Sequence, residues 1–242
     1  LRCLSDVSIP AGELSAPSGE RTVASFVERA GRVEVIWFPF TDRPWLKVWS
    51  VCPDRPATAR PVVTPYNYPF TDNVPRPVAE LAGRLQRGQW YLAPAFGLTQ
   101  YAAVAAGLTA TASADLWGRS RNLLLYVRPT TLRMHANGYA VPARRADLQR
   151  VISTFTAFYR ERLLAYAASG RYPVNGPVEI RVTGLDHPVG AGAPALSAVR
   201  ADGRPAGDVA VWLDLLTLPD TPDSGDFFRE IERFIFAEFP GA

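Results

Sequence analysis

Cysteine and histidine are almost missing from this chain, and their scarcity removes several kinds of chemistry at once. Cys3 and Cys52 are the only cysteines, too few for a disulfide framework and at no metal-motif spacing. The two histidines, His135 and His187, form no pair at ligand spacing, so no metal is expected. The 26 basic residues nearly balance the 23 acidic ones and gather into no Lys/Arg run or basic-aromatic stripe, so nucleic acid is not an expected partner. No apolar run approaches the ~20 residues that cross a bilayer. The N-terminus lacks the basic region and apolar stretch of a signal peptide. A Gly-x-Gly-x-x-Gly dinucleotide fingerprint is absent, and Gly190-Ala191-Gly192 is too short to replace it. The chain opens Leu1-Arg2-Cys3 without Met, as expected of a fragment.

What remains is a globular composition, 48% hydrophobic and 20% charged over 242 residues, enough for one large domain with a substantial core. Thr22 to Ala30 has helical spacing, with Val23, Phe26 and Val27 on one side and Gly31 at its end. Arg32 to Phe38 and Trp45 to Val51 alternate as two strands across a hairpin-like loop, and should pair antiparallel. Prolines recur from Pro53 to Pro75 around Tyr66, Tyr68 and Phe70, which predicts an irregular surface loop or lid. Helices are predicted over Pro77 to Leu85, Leu98 to Leu108, Asp147 to Ala168 and Asp226 to Phe239. Asn122 to Val127, Leu196 to Val199 and Asp208 to Leu216 read as strands. Ala136-Asn137-Gly138 reads as the turn of a short hairpin. Hairpins and long helices without regular strand-helix-strand alternation indicate an α+β domain, a mostly antiparallel sheet covered on one side by helices.

Against this background three stretches carry charge where charge is costly. After the turn signal Asn175-Gly176-Pro177, Val178, Ile180 and Val182 point one way and Glu179 and Arg181 the other. On a solvent face that pair would be worth well under ~1 kcal/mol. In a closed cavity it becomes an acid/base beside a fixed positive charge, as the oxidation of an alcohol requires. Glu34 is a lone carboxylate in an otherwise apolar strand and needs a cation, a proton or a wet cavity, with Arg32 or Lys47 as partner at a sheet edge being the plain alternative. Asp214 repeats the pattern in the strand that starts at Asp208.

The motifs Val33-Glu34-Val35-Ile36-Trp37-Phe38-Pro39-Phe40-Thr41-Asp42, Pro44-Trp45-Leu46-Lys47-Val48-Trp49, Pro65-Tyr66-Asn67-Tyr68, Asp115-Leu116-Trp117-Gly118 and Asn175-Gly176-Pro177-Val178-Glu179-Ile180-Arg181 run in order over nearly the whole chain. They resemble the substrate-binding domain of cholesterol oxidases with covalently attached FAD, in the vanillyl-alcohol oxidase superfamily. The resemblance implies that residues 1–242 form a substrate-binding cap and that the FAD-binding domain of the same parent protein, with its flavin-linking histidine, lies outside this chain. It implies FAD as cofactor, with a sterol and O2 as partners, and oxidation of the 3-hydroxyl with formation of hydrogen peroxide. By the same resemblance Glu179 and Arg181 act on the alcohol, and Glu34 swings against Arg181 to gate a path for oxygen. Asp214, Trp37 and Tyr66 are assigned to substrate binding or the gate, with Asp214 replacing the Asn of the family pattern. Whether the parent is exported stays open, as do two alternatives: a flavin oxidase for another alcohol, and an apolar-ligand-binding module without chemistry.

Overall fold

The computed structural model describes residues 1–72, 74–124, 132–185 and 208–240. Chain order is β1 (Arg2–Asp6), α1 (Ala11–Leu14), α2 (Val23–Ala30), β2 (Arg32–Trp37), β3 (Trp45–Ser50), β4 (Arg60–Val62), α3 (Pro69–Asp72), α4 (Arg76–Gln86), α5 (Ala93–Ala110), β5 (Asp115–Gly118), α6 (Ser120–Leu123), β6 (His135–Ala143), α7 (Leu148–Ala168), β7 (Val178–Gly184), β8 (Val209–Thr217) and α8 (Ser224–Glu238). The strands form one sheet in the order β4-β5-β1-β3-β2-β7-β8-β6, antiparallel except for β4 beside β5.

Alternation in the strands decides which side chains meet the helices. Val33, Val35 and Trp37 of β2, Val178, Ile180 and Val182 of β7, and Val211, Leu213 and Leu215 of β8 point into the main core. There they meet Phe155 and Tyr159 of α7 and Phe227, Ile231 and Ile235 of α8, all buried, so the aromatic stripe of α7 is core. Thr22 caps α2 by accepting from Ser25 N at 3.3 Å, and Gly31 ends it at φ 89°. The opposite face of the sheet is only partly roofed, by α4, α5 and the aromatic loop before α4. The rest of that face borders a cavity.

Several local expectations change. Asn137 and Gly138 make no turn: β6 is continuous from His135 to Ala143, because its whole length pairs with β8. Gly138 stands opposite Asp214, and a Cβ there would collide with the Asp214 carboxylate, so the glycine makes room instead of bending the chain. Asn175 and Gly176 also serve otherwise than by positive φ, which neither adopts. Buried Asn175 donates to Thr221 Oγ1 at 2.9 Å and accepts from Leu218 N at 2.9 Å, while a Cβ on Gly176 would lie 2.5 Å from the Leu216 carbonyl oxygen. The proline-rich stretch contains β4 and α3, with Pro61 tolerated because β4 is an edge strand. Residues 120–123 are helical where a strand was expected from 122, and the expected strand at 196–199 lies outside the described residues.

Candidate functional site

Strand register assembles the charged residues on the partly roofed face. Lys47 of β3, Glu34 of β2 and Arg181 of β7 stand directly opposite one another. Two residues along, Trp45, Ile36, Glu179, Asp214 and Gly138 make the next row across β3, β2, β7, β8 and β6. Residues two apart share a face, so both rows look the same way. The puzzle of Glu34 is resolved by its position in the middle of the sheet, between two cations.

Glu34 is 7% exposed and Lys47 4%. The Lys47 ammonium pairs with Glu34 Oε2 and lies 4.5 Å from the Trp45 ring and 5.5 Å from the Trp49 ring, a cage of carboxylate and aromatic faces. Arg181 Nε comes within 3.0 Å of Glu34 Oε1, yet it has no aligned hydrogen bond, so this contact is Coulombic attraction. Arg181 Nη2 donates to Glu179 Oε2 and lies 3.4 Å from Asp214 Oδ2. Two cations therefore face three carboxylates.

The surplus negative charge is shared unevenly. Burial works against an ionised Glu34, but Lys47 first and Arg181 after it outweigh that cost and hold its carboxyl below the ordinary value. Glu179 is pushed up by burial and by the charge of Glu34, more than Arg181 compensates. Asp214 is also raised by burial, with Arg181 opposing. A proton entering the cluster therefore settles on Glu179 or Asp214 before Glu34, and one proton brings the cluster to neutrality. Arg181 keeps its charge, because the carboxylates outweigh its burial.

Glu179 and Lys47 line a cavity of about 280 Å³ whose other walls are mostly apolar. Trp45 and Ile36 form its floor, Val104 of α5 a side, and Tyr66, Tyr68 and Phe70 an aromatic wall. Tyr68 packs edge-on against Trp45 with ring centroids 4.9 Å apart, and against Tyr66 at 5.2 Å. The volume is close to the lower end of the ~300–1,000 Å³ of small-molecule sites.

Of the residues singled out in the sequence, Glu34, Glu179, Arg181 and Asp214 come together, and Tyr66 lines the cavity beside them. Trp37 does not. It points to the helical core, stacks edge-on against Tyr159 at 5.7 Å and donates from Nε1 to the Thr41 carbonyl at 2.8 Å. Its place in the site is withdrawn for a plain reason: an odd offset of three residues from Glu34 in one strand puts it on the other face. Lys47, weighed in the sequence as a sheet-edge partner for Glu34, does pair with it, but in the interior of the sheet, where it also lines the cavity. His135 is exposed and does not line the cavity, and His187 lies outside the described residues.

The family model described as "Cholesterol oxidase, substrate-binding" matches residues 1–242. This chain belongs to the substrate-binding domain family of cholesterol oxidases. Among solved structures, one described as a solvent-stable cholesterol oxidase is 57% identical with a TM-score of 0.94, covering 99% of this chain and 46% of that one. The cholesterol oxidase from B. sterolicum is 41% identical with a TM-score of 0.95, again over 99% and 46%. No curated protein matches. The chain spans less than half the length of these relatives. Its α+β fold is that of the corresponding part of the cholesterol oxidases.

Proposed function

We propose that this chain is the substrate chamber of an FAD-dependent oxidase of 3-hydroxysterols, with the flavin held mainly by the rest of the parent polypeptide. The observation that carries the reading is the meeting of a five-residue charged cluster with an apolar, aromatic-walled cavity at Glu179. An apolar body and one reacting hydroxyl need that combination.

Arg181 suits a neighbouring flavin, being a permanently charged guanidinium with its side chain 34% exposed while three carboxylates hold it in place. Bound FAD supplies the hydride acceptor, and O2 finally receives both electrons as hydrogen peroxide. This chain supplies the rest. The apolar walls orient the sterol and exclude water, which strengthens every charge interaction at the reacting end. Glu179 accepts the hydroxyl proton; its raised pKa makes it a stronger base than a free carboxylate. Arg181 stabilises the negative charge that develops on the alcohol oxygen as its proton passes to Glu179 and before that charge leaves with the hydride. Glu34 and Asp214 fix the guanidinium, and Lys47 keeps Glu34 anchored if Glu34 leaves Arg181 to open a path for oxygen.

The test is steady-state peroxide formation by the full-length parent with cholesterol and with smaller alcohols. Turnover of 3-hydroxysterols with peroxide release supports the reading. Activity on other alcohols alone removes the sterol assignment. Saturable sterol binding by a full-length protein without flavin absorbance would leave a binding module.

A further inference from the structure

Sulfur is scarce in this chain and unevenly placed. Met134 is the sole methionine of the 242 residues, and it lines the cavity with Leu132, Pro177, Glu179 and Leu216. It is half-buried, packed beside Val78, Phe96 and Leu218 while the rest of it borders the hollow. Gly176 makes room for it: a Cβ there would come within 2.8 Å of the Met134 sulfur. Gly176 precedes Glu179 by three residues, at most about 10 Å of chain, so the sulfur sits toward the end of the cavity that holds Glu179. The two cysteines are placed differently. Cys3 is fully buried, and burial pushes its thiol up to about 11, so it keeps its proton at neutral pH. Cys52 does not line the cavity. A thioether has no proton to lose, and its lone pair is available to an oxidant at any pH.

We propose that Met134 is an oxidation site through which hydrogen peroxide lowers the affinity of the chamber for its own substrate. The proposal rests on the oxidase reading above, which supplies the peroxide as product. The Met134 sulfur attacks one peroxide oxygen, and the S–O bond forms as the O–O bond breaks. The departing hydroxide takes the proton of the transferred oxygen and leaves as water. Sulfur is thereby oxidised by two electrons and the peroxide is reduced. The sulfoxide puts a polar S=O group where a flexible apolar side chain had been. The side chains of Leu132, Pro177 and Leu216 beside it offer no hydrogen-bond donor. A sterol that closes over the new oxygen therefore shuts it away from water unpaired, and binding weakens.

The test exposes the full-length parent to hydrogen peroxide without substrate, removes the peroxide with catalase, and follows the peptide containing Met134 by mass spectrometry beside the kinetics with cholesterol. Met134 should gain one oxygen, and KM should rise roughly tenfold in step with the oxidised fraction. Methionine sulfoxide reductase should reverse both changes. In Met134→Leu, KM should be the same before and after exposure, whatever its starting value. A 3-ketosteroid occupying the chamber should slow the oxidation of Met134, which a methionine outside the cavity would not show. Prolonged turnover without catalase should reproduce the modification. Three results would each overturn the proposal: a Met134 that stays reduced while KM rises, a sulfoxide that leaves KM unchanged, or oxidation that the ketosteroid does not slow. A parent that turns over no 3-hydroxysterol would remove the oxidase reading and the source of peroxide, a failure separable from the other three because added peroxide can still mark Met134.

Discussion

Replacing Lys47 by methionine isolates the force that keeps a charge inside the sheet. Met fills a similar volume and can lie between the Trp45 and Trp49 rings, so packing changes little and the ammonium is what is lost. Glu34 then stays buried with Arg181 as its nearest remaining cation among the described residues, at 3.0 Å and without an aligned hydrogen bond, and with Arg32 acting from farther off. Breaking a buried pair from one side costs about 3–5 kcal/mol, and the surviving Arg181 contact places Lys47→Met toward the lower end, near ~3 kcal/mol. Adding Glu34→Gln removes the stranded charge and should recover much of that loss. The pH dependence gives a second, sharper reading. In the wild type the carboxyl of Glu34 is held below its reference value of 4.5, so its contribution is present above that value and lost as pH falls through the depressed folded-state pKa. Without Lys47, the largest stabilising charge, burial should raise the same carboxyl, and the contribution of Glu34 is then lost as pH rises instead. Urea unfolding of wild type, both single variants and the double variant across the acidic range measures this. Additive losses, or an unchanged pH slope in Lys47→Met, would show that Glu34 and Lys47 are not a coupled buried pair.

In the full-length parent, Arg181→Ala should lower kcat on the order of 10²-fold or more if Arg181 stabilises the developing oxyanion; an effect confined to KM would make it a substrate-binding residue only. The carboxyl of Asp214 is raised by burial, so its ionisation costs stability as pH rises through the folded-state pKa. Asp214→Asn should therefore gain in urea midpoint over wild type near neutral pH and lose that advantage in acid, and a constant difference would refute the assignment. The two site glycines should differ in tolerance. Gly176→Ala drives a Cβ to 2.5 Å from the Leu216 carbonyl oxygen and should cost ~1–3 kcal/mol, whereas at Gly138→Ala the Asp214 side chain can turn away and the cost should be smaller. Thermal midpoints in the reverse order would count against the close approach at β8.

The sequence by itself determined which residues share a strand face. Periodicity is a property of a few consecutive residues, and so the split of Val178, Ile180 and Val182 from Glu179 and Arg181 was legible without coordinates. The same rule already separated Trp37 from Glu34, and assigning both to one site went against it. Turn chemistry was less informative, because Asn-Gly at 137–138 has the composition of a hairpin but is used for close strand approach in a continuous pair. Only the tertiary structure decided that β2 lies between β3 and β7, which sets Glu34 opposite both Lys47 and Arg181. Register between strands distant in sequence is chosen by the burial of whole faces against the helical layer, and no local pattern encodes it. Each of these charges is costly to bury alone, and sheet order is what supplied their partners.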